Sequence, residues 1–255
     1  MYPIETIYEL RVKGVLEARW SAWFAPLEIF SQADETLIAG PIRDQSELFG
    51  TLLKIRDMGL PLVSVTQARR PAFNSPFPQL TTERLLLREF NPGDAPVVLD
   101  ILRRLEVNQW LETDPLESIE EAQVSIRARM GLFRDGMGLR WAITLREQPE
   151  QVIGSCGFFS VRRDTQTVEC GYELHPAHWG KGIMSEALQA MINFSFDPHN
   201  PLPVHRMEAL VAPGNIASIR VLEKLGFTRE GTRSEFGFWK GCYQDVLLYA
   251  LLGKN

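Results

Sequence analysis

Cysteine is scarce in this sequence. Cys156, Cys170 and Cys242 are its three cysteines, and none forms a CxxC pair. An odd, widely spaced set excludes a disulfide framework and points to a reducing compartment, with the thiols acting as small hydrophobes. Long apolar runs are missing too. No stretch approaches the roughly 20 residues that a membrane-spanning helix needs. The opening "MYPIETIYELRVKG" lacks a basic start followed by an apolar segment, so no signal peptide is expected and the expected location is cytoplasmic, with no membrane partner. Positive charge is not in excess. A formal net charge of −5 argues against the broad basic face of a direct nucleic-acid binder. His175 and His178, with Glu173 nearby, have metal-ligating side chains, but their spacing across Pro176 and the lack of a third ligand argue against a metal site.

What is present divides in two. Residues 66–79, "TQARRPAFNSPFPQ", hold Pro71, Pro76 and Pro78 without periodicity, so 68–80 reads as a linker between blocks 1–67 and 81–255. Its Arg69-Arg70 pair is expected to be solvated. In the front block "IYELRV" alternates as a strand, and "LEARWSAWF" puts Leu16, Trp20, Trp23 and Phe24 on one helical face, expected to be core. "LEIFS" and "ETLIAG" are two further strands joined at "QAD". Asp44 and Glu47 make an Asp-x-x-Glu start for a helix on which Leu48, Leu52 and Ile55 share a face, and Gly59 follows its end. "LPLVSV" closes the block. The order βαββαβ is that of a ferredoxin-like split unit, with two helices on one face of a four-stranded sheet. No catalytic constellation appears in it.

The second block is α+β. It starts with the strand "RLLLREF", followed by helical stretches near 93–104 and 117–134. "LRWAITLRE", "QVIGSCGFFSV" and "TVECGYEL" then alternate as successive antiparallel strands. "HPAHWGKGIMSEAL" follows, with Gly180 and Gly182 flanking Lys181 just where a helix must start. A helix N-terminus exposes unpaired N–H groups with a partial positive charge, and glycines there let a phosphate sit on the amides. The Walker pattern fails, because Gly182 follows Lys181 and His175 stands at the first glycine's place. The dinucleotide fingerprint fails at Ser185, and the next strand ends in Val211-Ala212-Pro213 without an acidic residue. The helix "NIASIRVLEKLGF" and the strands "TREGTRSEF" and "YQDVLLYALL" finish the chain.

Four segments in order, "LTTERLLLREF", "GYELHPAHWGKGIMSEAL", "NIASIRVLEKLGF" and "YQDVLLYALL", resemble the GCN5-related N-acetyltransferase (GNAT) family, most closely its RimJ/RimL-type ribosomal-protein N-terminal acetyltransferase group. The resemblance spans residues 81–255 and implies a mixed, mostly antiparallel sheet flanked by helices. It also implies acetyl transfer from acetyl-CoA to an amine, either a protein N-terminus or a small molecule. By the same resemblance, the CoA pyrophosphate would lie on the amides of Gly180, Lys181, Gly182, Ile183 and Met184, beside Trp179. The strand "GYEL" would splay from its neighbour near Leu174 and His175, and Asn215 and Ser218 would contact the cofactor near its reacting end. Asn215 is equally an N-cap by its position. Trp179 and Met184 depart from the broad family in the manner of the RimJ/RimL group. Leu222 stands where many relatives carry a tyrosine acid, which keeps open a non-catalytic CoA sensor as the alternative function.

An attacking amine must lose a proton, since α-amino groups have a pKa of about 8 and lysine of about 10.4. Glu169 and Glu173 lie four apart on one strand and so face the same way, toward either the acetyl end or packed helices. Both are base candidates, and Glu235 is a third by resemblance. Ser218, one turn past Asn215, is the candidate donor to the leaving thiolate. The front block lies outside the family pattern. The roles open to it are partner recruitment, a regulatory ligand or an oligomer interface such as a homodimer.

Overall fold

The computed structural model describes residues 6–16, 20–25, 27–32, 35–68, 76–162, 164–200 and 202–253. The chain forms two compact units, residues 1–70 and 71–255.

The first unit contains β1 (Thr6–Lys13), α1 (Ser21–Phe24), β2 (Glu28–Gln32), β3 (Glu35–Ile42), α2 (Gln45–Asp57) and β4 (Leu62–Ala68). The strands lie in the order β2-β3-β1-β4 with every neighbouring pair antiparallel. Leu10, Val12, Ile38 and Ile42 alternate onto one face and bury against Phe24, Leu48 and Ile55. Asp44 caps α2 by accepting from the Glu47 N–H at 2.9 Å, and Gly59 turns the chain away at φ +69°. α1 holds Trp23 and Phe24 of the expected apolar face, while residues 17–19 of that stretch lie outside the described residues. It makes one turn, so Phe24 is buried while Trp23 stays exposed.

The second unit carries β5 (Leu80–Thr81), β6 (Leu85–Arg88), α3 (Ala95–Arg103), α4 (Leu105–Asn108), α5 (Ile119–Arg134), β7 (Leu139–Leu145), β8 (Gln148–Arg162) and β9 (Thr167–Leu174). It continues with α6 (Ile183–Ser195), β10 (Arg206–Val211), α7 (Ile216–Lys224), β11 (Thr228–Trp239) and β12 (Cys242–Leu252). The eight-stranded sheet has the order β11-β12-β10-β9-β8-β7-β6-β5. Every pair is antiparallel except β9 with β10, which are parallel because α6 crosses between them. One face packs against α6 and α7 through Cys170, Leu174, Met207 and Ala209; the other lies under α3 and α5 through Ala142 and Val152. The helical stretch expected near 93–104 is α3, which ends at Arg103; Arg104, with an extended ψ of 124°, separates it from α4.

Most of the expected linker, including Arg69-Arg70, lies outside the described residues. Its last part is packed: the Trp141 indole donates to the Pro78 carbonyl at 2.6 Å, and Phe77 stacks edge-on against Phe133 and Trp141. No described helix is long and apolar enough to cross a membrane.

Candidate active site

Parallel pairing of β9 with β10 covers three residues, from Thr167–Arg206 to Glu169–Glu208, and then stops. β9 continues to Leu174 and β10 to Val211, so beyond this point a gap opens between them. On its other side β9 stays paired with β8, and the His175 N–H still donates to the Ile153 carbonyl at 2.8 Å. An antiparallel ladder alternates residues that bond across it with residues that do not. Gly171, Glu173 and His175 therefore bond to β8, while Tyr172 and Leu174 turn their backbone groups into the gap. The Trp179 indole fills one of these positions, donating to the Leu174 carbonyl at 2.8 Å. The Leu174 N–H and both backbone groups of Tyr172 have no strand beside them.

α6 starts directly after this half-paired stretch. Gly180 and Gly182 hold φ values of +72° and +74°, a region that costs other residues about 1–2 kcal/mol. A Cβ at Gly180 would meet nothing within 4 Å, and one at Gly182 only the Arg84 guanidinium at 3.6 Å. The glycines thus answer to backbone conformation, and the space before the amides is open. Gly182 caps the helix with no side chain, and the first bond within it runs from the Glu186 N–H to the Gly182 carbonyl at 3.1 Å. The amides of Ile183, Met184 and Ser185 are consequently free of helical acceptors, at the positive end of a 13-residue helix. The Ile183 and Met184 side chains are buried beneath, so only their backbone faces out, and Lys181 is exposed between the glycines. Arg84 braces this turn. Its Nη1 donates to the Lys181 carbonyl at 3.0 Å and its Nε to Glu186 at 2.6 Å, and the Thr82 hydroxyl donates to the same carboxylate at 2.5 Å.

The two strand glutamates share the face that α3 and α5 cover, yet their surroundings differ. Glu173 is buried and clamped: Arg129 donates to it at 2.6 Å, Ser155 Oγ at 2.5 Å, and Arg140 pairs with its second oxygen. Burial alone would push its pKa up, but the two guanidiniums and the serine bring it down to about 2. A carboxylate so stabilised as an anion has little capacity to take a proton. Glu169, half-buried where the pairing with β10 ends, is shifted the other way. Burial raises its pKa, and the carboxylates of Glu112 and Glu208 raise it further against Arg162 and Arg233. Glu235 is exposed on a bulge of β11, with φ +48° and its N–H donating to Asp245 at 2.9 Å.

Asn215 caps α7 by accepting from the Ser218 N–H at 3.1 Å, which fixes the first turn. Leu222 is fully buried in the core. His175 accepts from the Ala177 N–H at Nδ1, so its Nε2 carries the proton toward Asp100, 3.1 Å away. The His178 pKa is lowered by burial and by Lys181 and His175. Among the described residues no group of three or more His, Cys, Asp or Glu side chains could hold a metal ion.

Sequence reasoning missed two groups here. Tyr172 Oη lies 2.6 Å from Ser218 Oγ; the signal was its two-residue spacing from Leu174, which turns both toward α6 and α7. Arg129 and Arg140, the partners of Glu173, come from distant elements and left no local signal.

A half-paired parallel strand thus leads directly into an uncapped glycine turn. A family model for the acetyltransferase (GNAT) domain matches residues 84–228. The chain belongs to the GNAT acetyltransferase family. A second model, described as a domain of unknown function, matches residues 7–66. This GNAT chain is 36% identical over 176 residues to the uncharacterized N-acetyltransferase p20 of Bacillus licheniformis, covering 69% of this chain and 97% of that protein. It is 29% identical over 185 residues to the [ribosomal protein uS5]-alanine N-acetyltransferase of Escherichia coli, covering 70% and 92%. Among solved structures, RimL, a ribosomal L7/L12 alpha-N-protein acetyltransferase in complex with coenzyme A, shares the fold with a TM-score of 0.61 at 23% identity, covering 69% and 98%. The chain is accordingly an acetyltransferase, and its second unit is a GNAT fold.

Proposed function

We propose that this acetyltransferase moves an acetyl group from acetyl-CoA to a primary amine, in first place the N-terminus of a protein, by direct attack with both substrates bound. The observation that carries this reading is the gap between β9 and β10 opening beside the uncapped amides of α6. That combination fits coenzyme A. A free strand edge suits an amide-bearing pantetheine arm, and open amides with Lys181 suit a pyrophosphate. Leu174, His175, Trp179 and Asn215 border the arm in this reading, and Gly180 to Met184 hold the phosphates. The relatives that acetylate ribosomal-protein N-termini support a protein acceptor over a small-molecule amine.

When bound, acetyl-CoA supplies a thioester carbonyl for attack. Glu169, about 16 Å along β9 from Leu174, takes the proton from the acceptor ammonium through intervening water, a task favoured by its raised pKa and its half-exposed place at the mouth of the gap. The Leu174 N–H donates toward the oxygen on which negative charge develops. Ser218 donates toward the leaving sulfur. Glu173 holds β9 in place through Arg129 and Arg140. Glu235, exposed on its bulge of β11, is the second candidate for the base. The match to acetyltransferases favours the enzyme over a CoA sensor, with the proton work that a tyrosine at 222 would do assigned to other residues. In the first unit, the strand order β2-β3-β1-β4 supports a ferredoxin-like reading.

The test is thiol release from acetyl-CoA with peptides beginning in Ala or Ser and with polyamines, for wild type, Glu169→Gln and Glu235→Gln. Peptide-dependent release that falls 10²–10⁴-fold in Glu169→Gln alone, with CoA affinity kept, is expected. Equal rates in wild type and Glu169→Gln would rule out Glu169 as the base, and no release with any amine would remove the reading.

A further inference from the structure

Two hydroxyls reach toward each other from opposite sides of the gap. Tyr172 belongs to the stretch of β9 that has lost its β10 neighbour, and Ser218 to the first turn of α7, which follows β10. Their oxygens are 2.6 Å apart. The Asn215 cap on the Ser218 N–H fixes where the serine stands, and the strand fixes the ring, so the contact is held from both ends. A phenol, with an ordinary pKa of about 10, is a better donor than an aliphatic hydroxyl, so the proton between the oxygens belongs to Tyr172. Ser218 then accepts from Tyr172, and its own O–H is left to point elsewhere. Polarisation along such a chain strengthens that outward donor.

We propose that Tyr172 orients the Ser218 hydroxyl toward the thiol sulfur of coenzyme A, and that this pair stabilises the leaving thiolate by a hydrogen bond in a chain with no tyrosine at 222. The inference rests on the acetyl-CoA reading above. Tyr172 acts as a positioning residue and Ser218 makes the contact. As the carbon–sulfur bond breaks, its electron pair goes to sulfur and Ser218 donates a hydrogen bond to it. Neither hydroxyl gives up its proton. A thiol near the cysteine value of about 8.5 is far more acidic than serine, and burial drives the Tyr172 phenol upward, so transfer from either would run uphill. The acceptor nitrogen loses two protons: the first goes to Glu169 before attack, and the second, released as the amide forms, passes through water to the thiolate.

The experiment is binding calorimetry with CoA and with desulfo-CoA, in which hydrogen replaces the thiol, between pH 7 and 10. Wild type should favour CoA increasingly as pH rises, because the donor stabilises the bound thiolate. Tyr172→Phe and Ser218→Ala should each cut that preference about tenfold at the high-pH end, and the double variant no further. Ser218→Thr, which keeps a hydroxyl, should retain it. Desulfo-CoA affinity should stay within about twofold throughout, which reports an intact fold. A wild-type preference in Tyr172→Phe overturns the proposal, as does an equal loss for both ligands. A wild-type protein that binds neither ligand removes the acetyl-CoA reading itself, a result distinct from a loss of preference alone.

Discussion

Glu173→Gln separates a clamp from a base. In the folded chain the Glu173 carboxyl drops from an ordinary 4.5 to about 2, since Arg129, Arg140 and Ser155 together outweigh the effect of burial. At about 1.4 kcal/mol per pKa unit this is worth roughly 3 kcal/mol of stability. An independent route gives the same scale: removing one partner from a buried ion pair costs about 3–5 kcal/mol, because the remaining charge is left uncompensated. Here two guanidiniums are left, with side chains only 15% and 10% exposed. The sign follows from the direction of the shift. A depressed carboxylate stabilises the fold fully above its unfolded pKa near 4.5, and the contribution fades as pH falls toward about 2.

Urea unfolding of wild type and Glu173→Gln at pH 7, 4 and 3 measures this directly. The variant should lose about 3 kcal/mol at pH 7, and the difference should shrink to less than half of that at pH 3. Any fall in acetyl transfer should accompany the loss of stability and weaker CoA binding, since the clamp also steadies Gly171, whose carbonyl accepts from Arg140 at 2.8 Å. A variant as stable as wild type at pH 7, with kcat down 10²–10⁴-fold, would refute the reasoning and return Glu173 to the role of base.

Three further outcomes are expected. The acid limb of the wild-type pH–rate profile should lie above the ordinary carboxylate value, because burial and two neighbouring carboxylates raise Glu169; activity should fall as pH drops through that limb, and Glu112→Gln should move the limb down. Gly182→Ala should cost about 1–2 kcal/mol in thermal unfolding from its φ of +74° and weaken CoA binding in calorimetry, though its Cβ meets no backbone. A thiol reagent at neutral pH should modify one cysteine in the native protein, the exposed Cys242. Cys156 and Cys170 are buried with their thiols pushed up to about 12, and they should react only on unfolding.

The order of elements was legible because it depends on local patterns. Asp44, Asn215 and the paired glycines mark helix ends, and alternation in "TVECGYEL" marks a strand. The apolar face expected over Leu16 to Phe24 is only partly core: Phe24 is buried while Trp23 is exposed, because the single described turn of α1 does not bring both inward.

The chemistry of the site was less legible, and the two glutamates show why. Spacing alone makes Glu169 and Glu173 equivalent, four apart on one face of one strand. Their difference comes from residues far along the chain: Arg129 lies 44 positions from Glu173 and Arg140 33, whereas Glu112 reaches Glu169 from the segment after α4. A carboxyl's capacity for proton transfer is set by the charges that surround it, which depend on tertiary contacts. The same holds for the leaving-group side. Leu222 reads as a lost acid only if the function must sit at one position, but a hydroxyl can reach the gap from β9 as well as from α7. Tyr172 and Ser218 lie 46 residues apart and meet only because β9 and the turn after β10 border the same gap. Where a sequence departs from a family's pattern, the residues to examine are those that the topology brings to the same place from another strand.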